Sequence, residues 1–244
     1  MTPADRQRII DALHAARMQP YLAAAKGSQK DAMRLYQWNS KLTASVQAVL
    51  GVTEVVLRNA MDRELQLWNN GRTGGTQSWL LNKPAPPLAS LAGSKRSNAV
   101  DLAQKAVSSR PGTQPRAGAP VTHDDVLAQV MFGLWVELLP NHGPKAAAPA
   151  HHQENANRLT LWNDALHQAF PNVVDPDGRI TYLRVAHLYK MRNRVAHMEP
   201  LIGLNVGQCI TDAIDVLGSI DPAVRSWVAG GLASEVTVVL KQRP

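Results

Sequence analysis

Near the end of the chain, Arg192-Asn193-Arg194-Val195-Ala196-His197 places a guanidinium, a carboxamide and an imidazole within about one and a half helical turns. Met198-Glu199-Pro200 follows at once. An imidazole exchanges protons near neutrality, with an ordinary pKa of about 6.5. A guanidinium stays charged and grips phosphate oxygens in a fixed fork. Together these groups suit holding or cutting a phosphodiester.

On a helix, Asn193 and His197 are four apart and share a face. Arg192 and His197 are five apart and diverge by roughly 140° about the axis and about 7.5 Å along it. One straight helix therefore does not aim both side chains at one atom. Two antiparallel copies across a two-fold axis would bring an Arg and a His from each protomer to one cleft, so a homodimer is expected. His197 falls near a helix C-terminus, whose negative end favours a charged imidazole. RNA brings its own nucleophile, the 2′-hydroxyl. Cleavage then needs proton transfer, which His supplies, and charge stabilisation, which Arg supplies. No cofactor or metal enters that scheme, the expected product is a 2′,3′-cyclic phosphate, and DNA is spared. A plainer reading stays open: Arg192 and Arg194 as solvated charges and His197 as a helix-capping residue.

A second polar group, Glu54-Val55-Val56-Leu57-Arg58-Asn59, lies on an earlier helix beside its apolar stripe. Glu54 and Arg58 have the i, i+4 order that favours an ion pair. They are either a structural pair or a support for the late motif, with Asn59 repeating the Arg-Asn order of Arg192-Asn193. His187, close to Arg184, is either an RNA contact or a partly buried structural residue. No metal site is expected. His151 and His152 are adjacent and point apart, and no paired-cysteine or H-E-x-x-H spacing occurs. A phosphate-cradling glycine loop of the P-loop kind is missing too, which argues against nucleotide hydrolysis.

The elements that must carry these groups are helical. The 244 residues are 45% hydrophobic, enough for a sizeable core, and Ala and Leu outweigh β-branched runs. Lys and Arg total 26 against 19 Asp and Glu, a net +7 that attracts polyanions, nucleic acid first and a membrane surface second. Thr2-Pro3 opens a first helix that should run to about Met18 before Pro20. Ser28 caps a long one through Trp68, with Leu42, Val46, Val49, Leu50, Leu57, Ala60, Met61 and Leu65 as its buried face. Further helices are expected over 97–107, from Thr122 through Leu138, over 153–170, 180–198 and 205–217, and over 222–227. The one candidate strand is Glu235–Leu240. Loops are expected near 69–96, 108–121 and 140–152, the second with Arg110 and Arg116 as a mobile linker or a basic arm. The expectation is one all-α domain over 1–244, seven to nine helices in a bundle. The lone Cys209, expected to be buried, forbids an intrachain disulfide, the N-terminus lacks a signal peptide's apolar stretch, and Val126–Leu139 is too short to span a membrane. These features point to the cytoplasm and away from a membrane.

Four blocks carry a family resemblance: Leu35-Tyr36-Gln37-Trp38-Asn39; Thr53-Glu54-Val55-Val56-Leu57-Arg58-Asn59-Ala60; Met131-Phe132-Gly133-Leu134-Trp135-Val136; and Arg192 to Pro200. In this order, over about residues 28 to 215, the chain resembles the Abi-like (abortive infection) family. Its Arg-Asn-x-x-x-His block resembles the signature of HEPN domains. The resemblance implies a HEPN-like helical bundle with additional helices, dimerisation that joins two Arg/His motifs, metal-independent RNA cleavage, and a role in phage defence or as a toxin held by an antitoxin or regulatory RNA. Matching positions make Arg192, Asn193 and His197 the catalytic motif and Glu54 and Arg58 its polar support. Asn59, His187, Arg194 and Glu199 are expected beside them, apart from the resemblance, as further supporting or RNA-binding residues. Some HEPN toxins are silenced by nucleotidylation of a Tyr two residues after the His; Glu199 stands there instead. Two other readings remain: an RNA-binding module without catalysis, and a regulatory scaffold for a protein partner.

Overall fold

The computed structural model describes all residues except 144, 145 and 147, so part of the loop expected over 140–152 lies outside the described residues. Its elements, in order, are α1 (Pro3–Leu13), α2 (Ala15–Ala24), α3 (Gln29–Thr73), α4 (Leu88–Ser108), α5 (His123–Leu127), α6 (Phe132–Leu138), α7 (His152–Asp164), α8 (Arg179–Ala196), α9 (Val206–Ile220), α10 (Pro222–Gly230) and α11 (Leu232–Lys241). Two short 3₁₀ turns complete them, and no strand occurs among the described residues. The fold is all-α.

Several boundaries depart from expectation. The first helix divides at His14, whose φ of 71° ends α1 and whose Nδ1 accepts the Ala16 N–H to start α2. Pro20 then lies inside α2 instead of stopping it. The carbonyl it leaves without a helical partner belongs to the exposed Ala16, where water can take its place. The expected 122–138 helix is two helices, α5 and α6. α4 begins at Leu88, inside the expected loop, and kinks at Gly93. The 235–240 strand is corrected to α11. A lone strand would leave its backbone groups without a ladder, whereas a helix pairs them locally. The penalty for Val in a helix is only a few tenths of a kcal/mol per residue, about 0.5.

Two units gather around separate cores, and the division falls within α3, α8 and α9 and at the α9–α10 junction. The first takes residues 1–53, 190–218 and 222–244. Its core includes Met18, Leu42, Val46, Val49, Leu50 and Val195. Trp38 Nε1 donates to the Val239 carbonyl at 2.8 Å, and the Arg243 guanidinium lies over the Trp38 ring, which ties α11 to α3. Cys209 on α9 is fully buried, and burial pushes its thiol up to about 12.

The second unit takes residues 54–189 and 219–221. Leu57, Met61 and Leu65 of α3 are buried here with Trp79, Trp135 and Trp162. The expected core face Val126, Val130, Leu134 and Leu138 is buried as well. Arg110 and Arg116 form no free arm. Both turn to Asp125, at 2.5 and 2.8 Å, and hold the 109–121 loop to α5. Before α8, Gly178 has φ +70°, and a Cβ there would stand 2.9 Å from Pro140 Cγ. Asp175 then receives the Ile180 and Thr181 N–H groups at 3.1 and 2.8 Å, so α8 starts at a defined residue.

Two helical stretches, Gln29–Thr73 and Pro222–Lys241, reach a mean hydropathy of 1.2 over 18 residues and are long enough to cross a membrane by length and composition. The first is the helix whose apolar stripe builds the two cores.

Candidate functional site

The late motif occupies the last turn and a half of α8, within the first unit. Met191 and Val195 are buried and anchor this turn. Arg192 and Asn193 are half-buried, while Arg194 and His197 are exposed. The helix ends at Ala196, and the His197 N–H still donates to the Asn193 carbonyl at 3.0 Å. His197 is therefore the cap, on the final hydrogen-bonded turn.

The next two residues close the helix by a Schellman motif. Met198 has φ 54°, and its N–H donates to the Val195 carbonyl at 3.0 Å. The Glu199 N–H reaches back to the Arg194 carbonyl at 2.8 Å. The same two residues pair through their side chains, Arg194 Nη1 to Glu199 Oε2 at 3.0 Å. Leu201 N–H then donates to the Oδ1 of buried Asn39 at 2.7 Å. Asn39 closes the early Leu35–Asn39 block, so that block holds the segment leaving the motif.

Another side chain reaches the same place. Arg17 Nη1 donates to the Met198 carbonyl at 2.6 Å, across 181 residues of chain. Beside this contact lies a cleft of about 400 Å³ lined by Leu13, His14, Ala16, Arg17, Pro20, Glu199 and Pro200. Neither His14 nor Arg17 was marked by sequence. Their spacing matches no motif, and a contact between α2 and the end of α8 leaves no local pattern to find.

Glu54, Arg58, Asn59 and His187 belong to the second unit. Arg58 Nε is directed to Asn59 Oδ1 at 3.4 Å. Both residues line a cleft of about 360 Å³ with Asp62, Asp124, Leu127 and Ala128. Asp62 is the hub of a network that sequence spacing did not show. Its carboxylate accepts from Trp79 Nε1 at 2.7 Å and from His123 Nε2 at 2.9 Å. Ser78 Oγ meets His123 Nδ1 at 2.7 Å on the other side of the ring. The Asp62 carboxylate holds the His123 imidazole above its usual range, against the opposing effect of burial. Despite its Ser-His-Asp composition, this network is a structural tie. Ser78 Oγ also accepts the Leu80 and Leu81 N–H groups at 3.2 and 3.1 Å, which makes it the cap of the turn that carries Trp79.

Among the described residues, no three His, Cys, Asp or Glu side chains are grouped to hold a metal ion. No protein-family model matches the chain, and no curated protein or solved structure matches it.

Proposed function

We propose that this protein is an endoribonuclease of the HEPN type, with Arg192, Asn193 and His197 as its catalytic motif. The observation that carries the reading is the end of α8. His197, exposed, stands at the C-cap position of the helix, and a guanidinium and a carboxamide stand on the turn before it. A net charge of +7 adds long-range attraction for a polyanion.

In the proposed reaction the RNA 2′-hydroxyl loses its proton to a base, and the 2′-oxygen attacks phosphorus. The bond from phosphorus to the 5′-oxygen breaks, and that oxygen takes up a proton. The products are a 2′,3′-cyclic phosphate and a free 5′-hydroxyl. His197 performs one proton transfer, Arg192 balances the charge on the phosphorane, and Asn193 orients the phosphate by hydrogen bonds. A second copy of the chain would supply the other imidazole. Arg194 and Glu199 act as supporting or RNA-binding residues beside the motif, and Glu54, Arg58, Asn59 and His187 would contact RNA within the second unit. In the cell the activity would serve phage defence or a toxin under control of an antitoxin or regulatory RNA.

The test is incubation with single-stranded RNA in the presence of a chelator. The native protein is expected to give cyclic-phosphate ends, and His197→Ala to lose activity by about 100-fold or more, the usual weight of a general acid–base group. Equal cleavage by both proteins removes His197 from the mechanism. Binding without product, weakened by salt, identifies an RNA-binding module instead.

A further inference from the structure

The first unit holds a second imidazole and guanidinium beside the motif, His14 and Arg17. Both line the 400 Å³ cleft, which falls within the size of small-ligand sites, roughly 300–1,000 Å³. Arg17 is fixed there by the carbonyl of Met198, the residue directly after His197. A guanidinium has five donors, and this contact takes one. The only carboxylate in the lining is Glu199, and Arg194 balances it at 3.0 Å. The cleft is left with the positive charge of Arg17, to which His14 adds one N–H at Nε2, its Nδ1 being taken by the Ala16 N–H, while Leu13, Pro20 and Pro200 supply apolar wall. Guanidinium and imidazole suit phosphate oxygens, and proline rings suit the flat face of a sugar or base.

We propose that this cleft seats one nucleotide of the RNA strand next to the linkage at His197, with Arg17 and His14 on its phosphate. The proposal rests on the reading of the protein as an RNA-acting one. It adds two contact residues from the N-terminal helices that the late motif does not contain.

Fluorescence anisotropy with a 2′-O-methylated oligoribonucleotide separates the two ideas. That probe keeps phosphates and bases but cannot be cut through its 2′-oxygen. The full chain is compared with His14→Asn, Arg17→Gln, Arg17→Lys and Arg6→Gln. Asn keeps a side-chain oxygen that can accept the Ala16 N–H in place of the His14 Nδ1, so the tie at the α1–α2 junction is preserved. Arg6 lies in a different pocket, with Lys30 and Arg34, and controls for diffuse charge. His14→Asn and Arg17→Gln are expected to weaken binding about tenfold each, with partial recovery in Arg17→Lys. Arg6→Gln should stay within about twofold. Native-like binding by His14→Asn and Arg17→Gln overturns the proposal, as does equal weakening by Arg6→Gln or failure of the native protein to bind. If native RNA is never cut while binding still depends on His14 and Arg17, the nuclease reading fails and the cleft stands.

Discussion

Met198 holds a left-handed backbone where helices usually place glycine. The conformation costs a non-glycine residue on the order of 1 kcal/mol. The residue is 54% exposed, so little burial offsets that cost. Met198→Gly is therefore expected to stabilise the protein slightly, by up to about 0.5 kcal/mol after allowing for the freer unfolded chain. A higher denaturant midpoint with unchanged slope would show it; a lower midpoint would mean that the methionine side chain contributes more than its exposure indicates. Residue identities were the most legible part of the site. Arg192, Asn193 and His197 stand out because their chemistry is concentrated within one local stretch. Arg17, His14, Asp62 and His123 do not, because each acquires its role from a partner far along the chain.

At the scale of elements, α5 shows how a helix too short to persist alone is kept in place. Thr122 and Asp125 form a reciprocal capping box, and Arg110 and Arg116 close on the same carboxylate. The His123–Asp62 contact then ties α5 to α3. Because the folded imidazole titrates above its ordinary 6.5, its contribution is complete below that pH and is lost as pH rises through the raised value. Unfolding curves from about pH 5.5 to 8.5 should show native stability falling relative to His123→Gln as pH rises. Parallel curves for the two proteins would show that the tie does not titrate in this window. Helix existence was largely readable from apolar periodicity: every residue of the stripe from Leu42 to Leu65 named from sequence is buried. Boundaries were less so. The α1–α2 junction uses His14 without glycine, the α5–α6 gap at 128–131 contains neither glycine nor proline, and Pro20 is tolerated on an exposed turn. The valines of α11 favour a strand locally, but the Trp38 and Arg243 contacts hold them in a helix.

For the whole molecule, the proposed chemistry needs two imidazoles at one linkage, and pairing of two copies through the ends of their α8 helices would provide them. Light scattering at micromolar concentration is expected to give twice 26.6 kDa; a persistent 26.6 kDa species would count against pairing at that site. The sealed position of Cys209 bears on how such an assembly behaves. The chain's single thiol is fully covered and carries its proton far above neutrality, so almost no thiolate is available for disulfide exchange. Any pairing of native copies would then owe nothing to a disulfide and should be indifferent to reductants.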